Sequence, residues 1–402
     1  MGAQTEVQLE DLVVVTEDLA MDSAGCDAIS VFNIVDGSRI QSSDTLVSPG
    51  RLAVRDDASV MISTLSNSCA VSFREPNPPD CTPALIALTA VDGSRGGFST
   101  GRIRGNKFGT MGGIAFLRDS TLLVAEAGYD LNDGASILVP RSPYFVARIT
   151  LPAAIANRDA LALQLGRMAI ASLPIEFLRT ADSRFTAIVQ SNGSVGVIDT
   201  STMKWAEPPI PYPTAVSGYS RPYGGKAAIG AMHATIMADG RRIIVNRMLS
   251  PSIAMIDVAT RKSVVVPLSS DLRFVDGVSI NAGPINSGLL AVHAMDLVVV
   301  YRLMADSTAS EVGRIAIDPP SNAAKQGLSV VESAAAGPLF SVAWSSRGTH
   351  IIAATDHDDA EFVVIDVRDD GRDLEIERYL TACTENGNLP NDIWTANGLL
   401  TP

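Results

Sequence analysis

The stretch TDHDDAEFVVIDV, residues 355–367, sets Asp356, His357, Asp358, Asp359 and Glu361 around the start of an apolar run. Carboxylates and an imidazole are the groups that hold divalent cations or carry protons in acid–base chemistry. Here they are consecutive, which is poor geometry for a cage that must close on an ion from several sides. Aspartate is also a common turn residue, because its side chain caps nearby backbone N–H groups. The stretch is therefore read first as a turn before a strand, and second as part of an acidic rim.

The other chemistry-bearing stretches are equally spare. GYDLNDG (128–134) offers oxygens from Asp130, Asn132 and Asp133 but lacks the distal Glu of an EF-hand loop, so turn chemistry accounts for it. VDGSRGGFSTGRIRGNKFGTMG (91–112) joins glycines to Arg95, Arg102, Arg104 and Lys107, without the GxxxxGK[ST] or GxGxxG spacing of a phosphate cradle. No GxSxG nucleophile elbow occurs. Net charge is −13, which argues against nucleic acid as a partner. Apolar residues make up 46% of the 402, enough for a sizeable core. No apolar run approaches the roughly 18 residues that span a bilayer. The N-terminal MGAQTEVQLEDLVVV has no basic segment ahead of an apolar one, so it does not read as a signal peptide; a mature N-terminus behind a start Met is the alternative.

The elements that must position any site are short β-rich runs separated by Gly, Asp, Asn and Ser turns, so the chain is all-β. They recur as a unit. IEFLRTADSRFTAIVQSNGSVGVIDTSTMKW (175–205) shares its plan with HATIMADGRRIIVNRMLSPSIAMIDVATRKSVVV (233–266) and with residues 339–379. Each has a short strand, a D/G turn, an apolar strand ending in a polar residue, a loop, a V-x-V-I-D-like strand and a last strand. Weaker copies fill the rest. NDIWTANG (391–398) matches SVAWSSRG (341–348), placing Trp394 where Trp344 sits, and supplies the first strand missing at the N-terminus.

Four-stranded units repeating about every 40 to 60 residues spell a β-propeller, here of seven blades. The whole chain, 1–402, is then one domain. Its first blade is shared between about residues 10–45 and 390–400, so that the ring closes without open edges. PAAIANRDALALQLGRM (152–168) reads as an inserted helix with its apolar face on the ring. RIIVNRM and IAMIDVAT are similar to the repeats of the seven-bladed YVTN-type and amine-dehydrogenase-like propellers. That resemblance covers nearly the whole chain and is one of architecture. It implies that ligands bind on the face carrying the loops between second and third strands.

In this register Glu126, Asn246 and His293 end second strands, while His233 and Asp392 begin first strands near the channel mouth. Propeller lactonases of the gluconolactonase type hold a divalent cation there with Glu, Asn and Asp. By that likeness Glu126, Asn246, His233 and His293 are the candidate ligands, with calcium the first choice. The chain shows the residue types but not that family's motifs, and it has seven blades rather than six. The competing reading is a hydrogen-bonded polar plug that closes the channel. The long segment 207–232 brings Tyr219, Arg221 and Tyr223 to the same face, a composition that suits a binding surface.

Cys69 and Cys81 fall in one loop, and Cys26 and Cys383 on segments that meet at the seam. Two disulfides, Cys69–Cys81 and Cys26–Cys383, follow as one expectation, and with them a periplasmic or extracellular location. Four reduced thiols are the alternative. The function expected is a non-catalytic propeller binding a protein or small molecule. The rivals are a metal-dependent hydrolase, lactonase, lyase or isomerase, and a scaffold subunit of a periplasmic dehydrogenase.

Overall fold

A computed structural model describes residues 8–19, 28–44, 49–65, 84–90, 98–104, 112–132, 137–151, 159–180, 182, 184–213, 231–237, 239–247, 252–269, 272, 279–283, 288–294, 297–304, 306–317, 341–357, 360–380 and 388–395. They form seven antiparallel blades. The innermost strands are Asn388–Thr395 in blade 1, Pro49–Val54 in blade 2, Ile114–Phe116 in blade 3, Pro174–Arg179 in blade 4, Ala231–Ile236 in blade 5, Ser279–Ala282 in blade 6 and Val342–Trp344 in blade 7. Each inner strand lies against the next, and the last lies against the first, so the ring is closed.

Closure comes from the C-terminus, as the sequence implies. Asn388–Thr395 pairs with Leu12–Leu19 in the register Val13↔Thr395, Val14↔Trp394, Val15↔Ile393 and Thr16↔Asp392. Trp394 and Trp344 do occupy inner strands of adjacent blades, and the Thr395 hydroxyl donates to the Trp344 carbonyl across the seam.

Alternation along a strand explains the unbroken apolar runs. Successive side chains point to opposite faces of a blade, and both faces are packed against neighbouring blades. Val13 and Val15 join a cluster with Ile352, Phe362 and Val364 of blade 7, whereas Leu12 and Val14 join Leu52, Val54 and Met61 of blade 2. Seven such clusters occur among the described residues, one between each consecutive pair of blades.

Of the helix expected over 152–168, the described part, 159–168, is not helical, and 152–158 lie outside the described residues. Asp159–Leu161 adds a parallel strand to the outer edge of blade 2, and Leu163–Ile170 is the outer strand of blade 3. Apolar residues at every second position suit a strand, and Met168 and Ile170 pack between blades 3 and 4. Gly166, unfavourable inside a helix, here leaves room for Met203, whose Cγ would lie 2.7 Å from an added Cβ. Contrary to the expected packing of this segment's apolar face, Leu161, Leu163 and Leu165 point outward, Leu161 being 77% exposed. No helix among the described residues is long and apolar enough to cross a membrane.

Candidate functional site

Every blade ends the apolar run of its second strand in a buried polar residue: Thr16, Thr64, Glu126, Gln190, Asn246, His293 and Thr355. Their position meets the start of the inner strand, and in blades 1, 2, 4 and 5 the ladder is irregular there. Register shifts fall between Thr16 and Glu17, Pro49 and Leu52, Pro174 and Glu176, and Ala231 and Ala234. A bulge frees backbone groups from the ladder and re-aims side chains. Freed N–H groups inside a protein must find other acceptors. Arg51 N–H donates to Thr64 Oγ1 at 2.9 Å, and His233 N–H donates to Asn246 Oδ1 at 2.7 Å. His293 Nδ1 lies 3.3 Å from the Ser341 carbonyl at the start of blade 7.

The bulges deliver three charged or titratable side chains to one place. Arg51 comes from blade 2, Glu176 from blade 4 and His233 from blade 5. Arg51 Nη1 is 2.8 Å from Glu176 Oε1 and 3.3 Å from His233 Nδ1. The Arg51 and Glu176 side chains keep 12% and 21% of their exposure, while His233 is only 6% exposed. A solvent-touching ion pair thus lies against a buried imidazole. Gly113, just before the inner strand of blade 3, permits the close approach: an added Cβ would lie 3.0 Å from the Ile175–Glu176 backbone.

Burial, then the charge of Arg51, then His293 push the His233 imidazole well below its ordinary pKa. It is therefore neutral at pH 7. Its Nε2 is buried and finds no hydrogen-bond partner among the described residues. Most buried polar groups are satisfied, so this one needs a physical reason.

Two of the residues expected as cation ligands, His233 and Asn246, do come together, and His293 is close enough to His233 to affect its charge. Glu126 is held elsewhere. Its Oε2 is 2.7 Å from Arg167 Nε on the outer strand of the same blade, and that guanidinium stacks 3.5 Å from the Phe145 ring centre. The donor set does not fit a divalent cation: Glu126 is neutralised by Arg167, the Asn246 oxygen receives a backbone N–H, and a guanidinium lies against His233. Among the described residues no group of three or more His, Cys, Asp or Glu is placed to hold a metal. No step through calcium or another cation follows from it.

The backbone of Asp392 pairs with Thr16. Tyr219, Arg221 and Tyr223 lie outside the described residues, as do Cys26, Cys69, Cys81 and Cys383. In the acidic stretch the second strand of blade 7 runs to His357, later than a turn at 355 would allow, and Asp358 and Asp359 lie outside the described residues. Similarly, the strand Leu122–Asn132 carries Asp130 and Asn132 as ladder residues. Arg51 and Glu176 were not anticipated from sequence. The available signal was a charged residue inside PGRLAV and PIEFLR, short inner strands where apolar residues are expected.

No protein-family model matches the chain, and no curated protein matches it in sequence. Solved structures share its fold. A functionally unknown protein from Desulfotomaculum acetoxidans aligns with TM-score 0.58 at 11% identity, over 96% of this chain and 98% of its own. A putative 6-phosphogluconolactonase from Bacteroides fragilis aligns with TM-score 0.57 at 12% identity, over 98% and 99%. The dihydro-heme d1 dehydrogenase NirN aligns with TM-score 0.55 at 13% identity, over 99% of this chain and 78% of that one. At these identities the likeness is one of fold, and it spans chains named for different activities.

Proposed function

We propose that this propeller binds a small molecule at the end of its channel where the inner strands begin, without transforming it, in the periplasm or outside the cell. One observation carries the reading: the buried Nε2 of His233, which no described residue satisfies, inside a polar cluster drawn from separate blades. A cluster built only to plug the channel has no use for an unsatisfied group, since leaving one buried costs about 1–3 kcal/mol. A ligand that supplies the missing partner recovers that loss. The test is a thermal-shift screen of a diverse small-molecule library on the full chain. At a hundredfold excess over Kd a true ligand adds roughly 2.7 kcal/mol and raises Tm by a few degrees. His233→Phe should remove the rise. A library without a stabilising member sinks the reading.

A second reading, a hydrolase, lyase or isomerase at the same place, is favoured by the neutral His233, whose imidazole has the state that polarises a substrate carbonyl by hydrogen-bond donation. The Bacteroides fragilis neighbour, named a putative 6-phosphogluconolactonase, is the precedent in fold. Turnover of simple lactones that disappears in His233→Gln would replace the binding reading with this one.

A further inference from the structure

Arg51 decides which hydrogen-bonding role His233 has left to play. A guanidinium carries only N–H donors and stays charged. With its Nη1 3.3 Å from His233 Nδ1, the arginine donates and the imidazole nitrogen accepts. A neutral imidazole that accepts at Nδ1 carries its proton on Nε2. An imidazolium would instead turn an N–H toward the guanidinium, donor against donor and charge against charge. The unsatisfied group is therefore an N–H.

The surroundings keep that donor in place. The His233 backbone is tied to Asn246 Oδ1 at 2.7 Å, and Arg51 is anchored by Thr64 through its backbone and by Glu176 through its guanidinium. The arginine charge on the Nδ1 side polarises the ring and strengthens donation from the opposite nitrogen.

We propose that His233 recognises its ligand by donating its Nε2–H to an oxygen acceptor, a carbonyl or carboxylate, and that this position refuses groups offering only N–H donors. The proposal rests on the binding reading above and narrows it to a chemical class. An ammonium group there would confront the imidazole N–H with donors of its own and gain nothing. A carboxylate, an ester or a lactone carbonyl would complete the cluster.

The test uses the full chain with 15N-labelled histidine. The sequence has only four histidines, so the imidazole signals separate, and His233→Gln assigns the one that matters. At pH 7 the His233 ring should show the neutral Nε2–H tautomer. Acetate, methyl acetate and γ-butyrolactone are then titrated, with methylammonium as the opposite probe at matched ionic strength. At least one acceptor should move the Nε2–H proton downfield while methylammonium leaves it in place. His233→Gln, which keeps a donor at a similar distance, should hold affinity for that acceptor within about tenfold, and His233→Phe should lose more than that. A charged ring, an Nδ1–H tautomer, an equal response to methylammonium or undiminished binding by His233→Phe each overturns the proposal. If no acceptor moves the resonance while the wider library still yields stabilising compounds, the acceptor class is wrong and binding stands. Silence in both experiments removes both. Should His233→Phe fail to fold, the tautomer of the wild-type ring and the behaviour of His233→Gln still decide.

Discussion

The two ends of the blades treat polar residues in opposite ways. At the end where first strands turn into second and third into fourth, most aspartates are satisfied inside their own blade, although Asp56 pairs with Arg179 of blade 4 and Asp370 with Arg302 of blade 6. Asp57 Oδ1 accepts from Ser59 N–H at 2.9 Å, Asp119 from Thr121 N–H at 3.0 Å, and Asp306 from Thr308 N–H at 3.1 Å. Asp257 accepts from Ala259 and Thr260 N–H and pairs with Arg241. The backbone contacts of these four turns are local to their own hairpins. At the channel end, Arg51, Glu176 and His233 come from three blades, and none is satisfied by its own hairpin alone. Local satisfaction leaves nothing to bind with; satisfaction assembled across blades can be left one partner short.

The ion pair at the channel end should therefore show the largest single effect. Glu176→Ala leaves the Arg51 charge mostly buried and facing a neutral imidazole, and should cost about 3 kcal/mol, toward the lower range for buried pairs because both side chains keep some exposure. Removing both charges in Arg51→Met/Glu176→Leu should recover most of that loss, since paired desolvation disappears with the pair. A double-mutant cycle by urea unfolding measures it. If the double variant loses as much as the two single ones added together, the residues do not act as a unit and the cluster is not what holds the channel end.

Acid separates the same two ends by pH. His233 has a folded-state pKa well below its ordinary 6.5, so the folded protein cannot take up the proton that the unfolded chain binds. Its contribution is complete above about pH 6.5 and is lost as pH falls below it, at up to about 1.4 kcal/mol per pH unit until the folded pKa is reached. The turn aspartates also have lowered pKa values: Asp57 lies at about 2 despite burial, through Arg55 and Ser59, and Asp257 lies lower still, chiefly through Arg241. Their contribution is present above the ordinary 3.8 and fades only below it. Unfolding free energy should thus decline in two stages on acidification. The stage between pH 6.5 and 4.5 should flatten in His233→Gln, while the lower stage remains. A wild-type curve that is level from pH 7 to 4.5 would falsify the neutral, buried state of His233.

The ring was legible in the sequence because both of its causes are local. Turns such as ADGRR and SNGS fix each hairpin, with Gly240 and Gly193 at φ 63° and 82°, and the alternating apolar runs fill two faces at once. The polar ends of the second strands were legible as well, though their work was not. Asn246 looks like a cation ligand in RIIVNRM, but its oxygen serves the His233 backbone, and Glu126 serves Arg167. The site proper was hidden because it depends on bulges, and a one-residue bulge leaves no composition signature. Arg51 and Glu176 lie two blades apart in the ring, and nothing in PGRLAV or PIEFLR says that their side chains meet. The 152–168 segment misled for the opposite reason, since LALQLGRM fits a helical stripe and a strand face alike.

The smallest effect belongs to the local end, and its value lies in what it leaves alone. Asp257→Ala removes an acceptor for two backbone N–H groups and the partner of Arg241, all near the surface, and should cost about 1 kcal/mol. Because Asp257 ends the third strand of blade 5, at the opposite end of that blade from His233, the loss should not reach the channel. Affinity for any ligand found at His233, the tautomer of its ring and the acid stage above pH 4.5 should all match the wild type. If Asp257→Ala instead weakened ligand binding tenfold, blade 5 would transmit strain along its length, and the two ends could no longer be treated as separate devices.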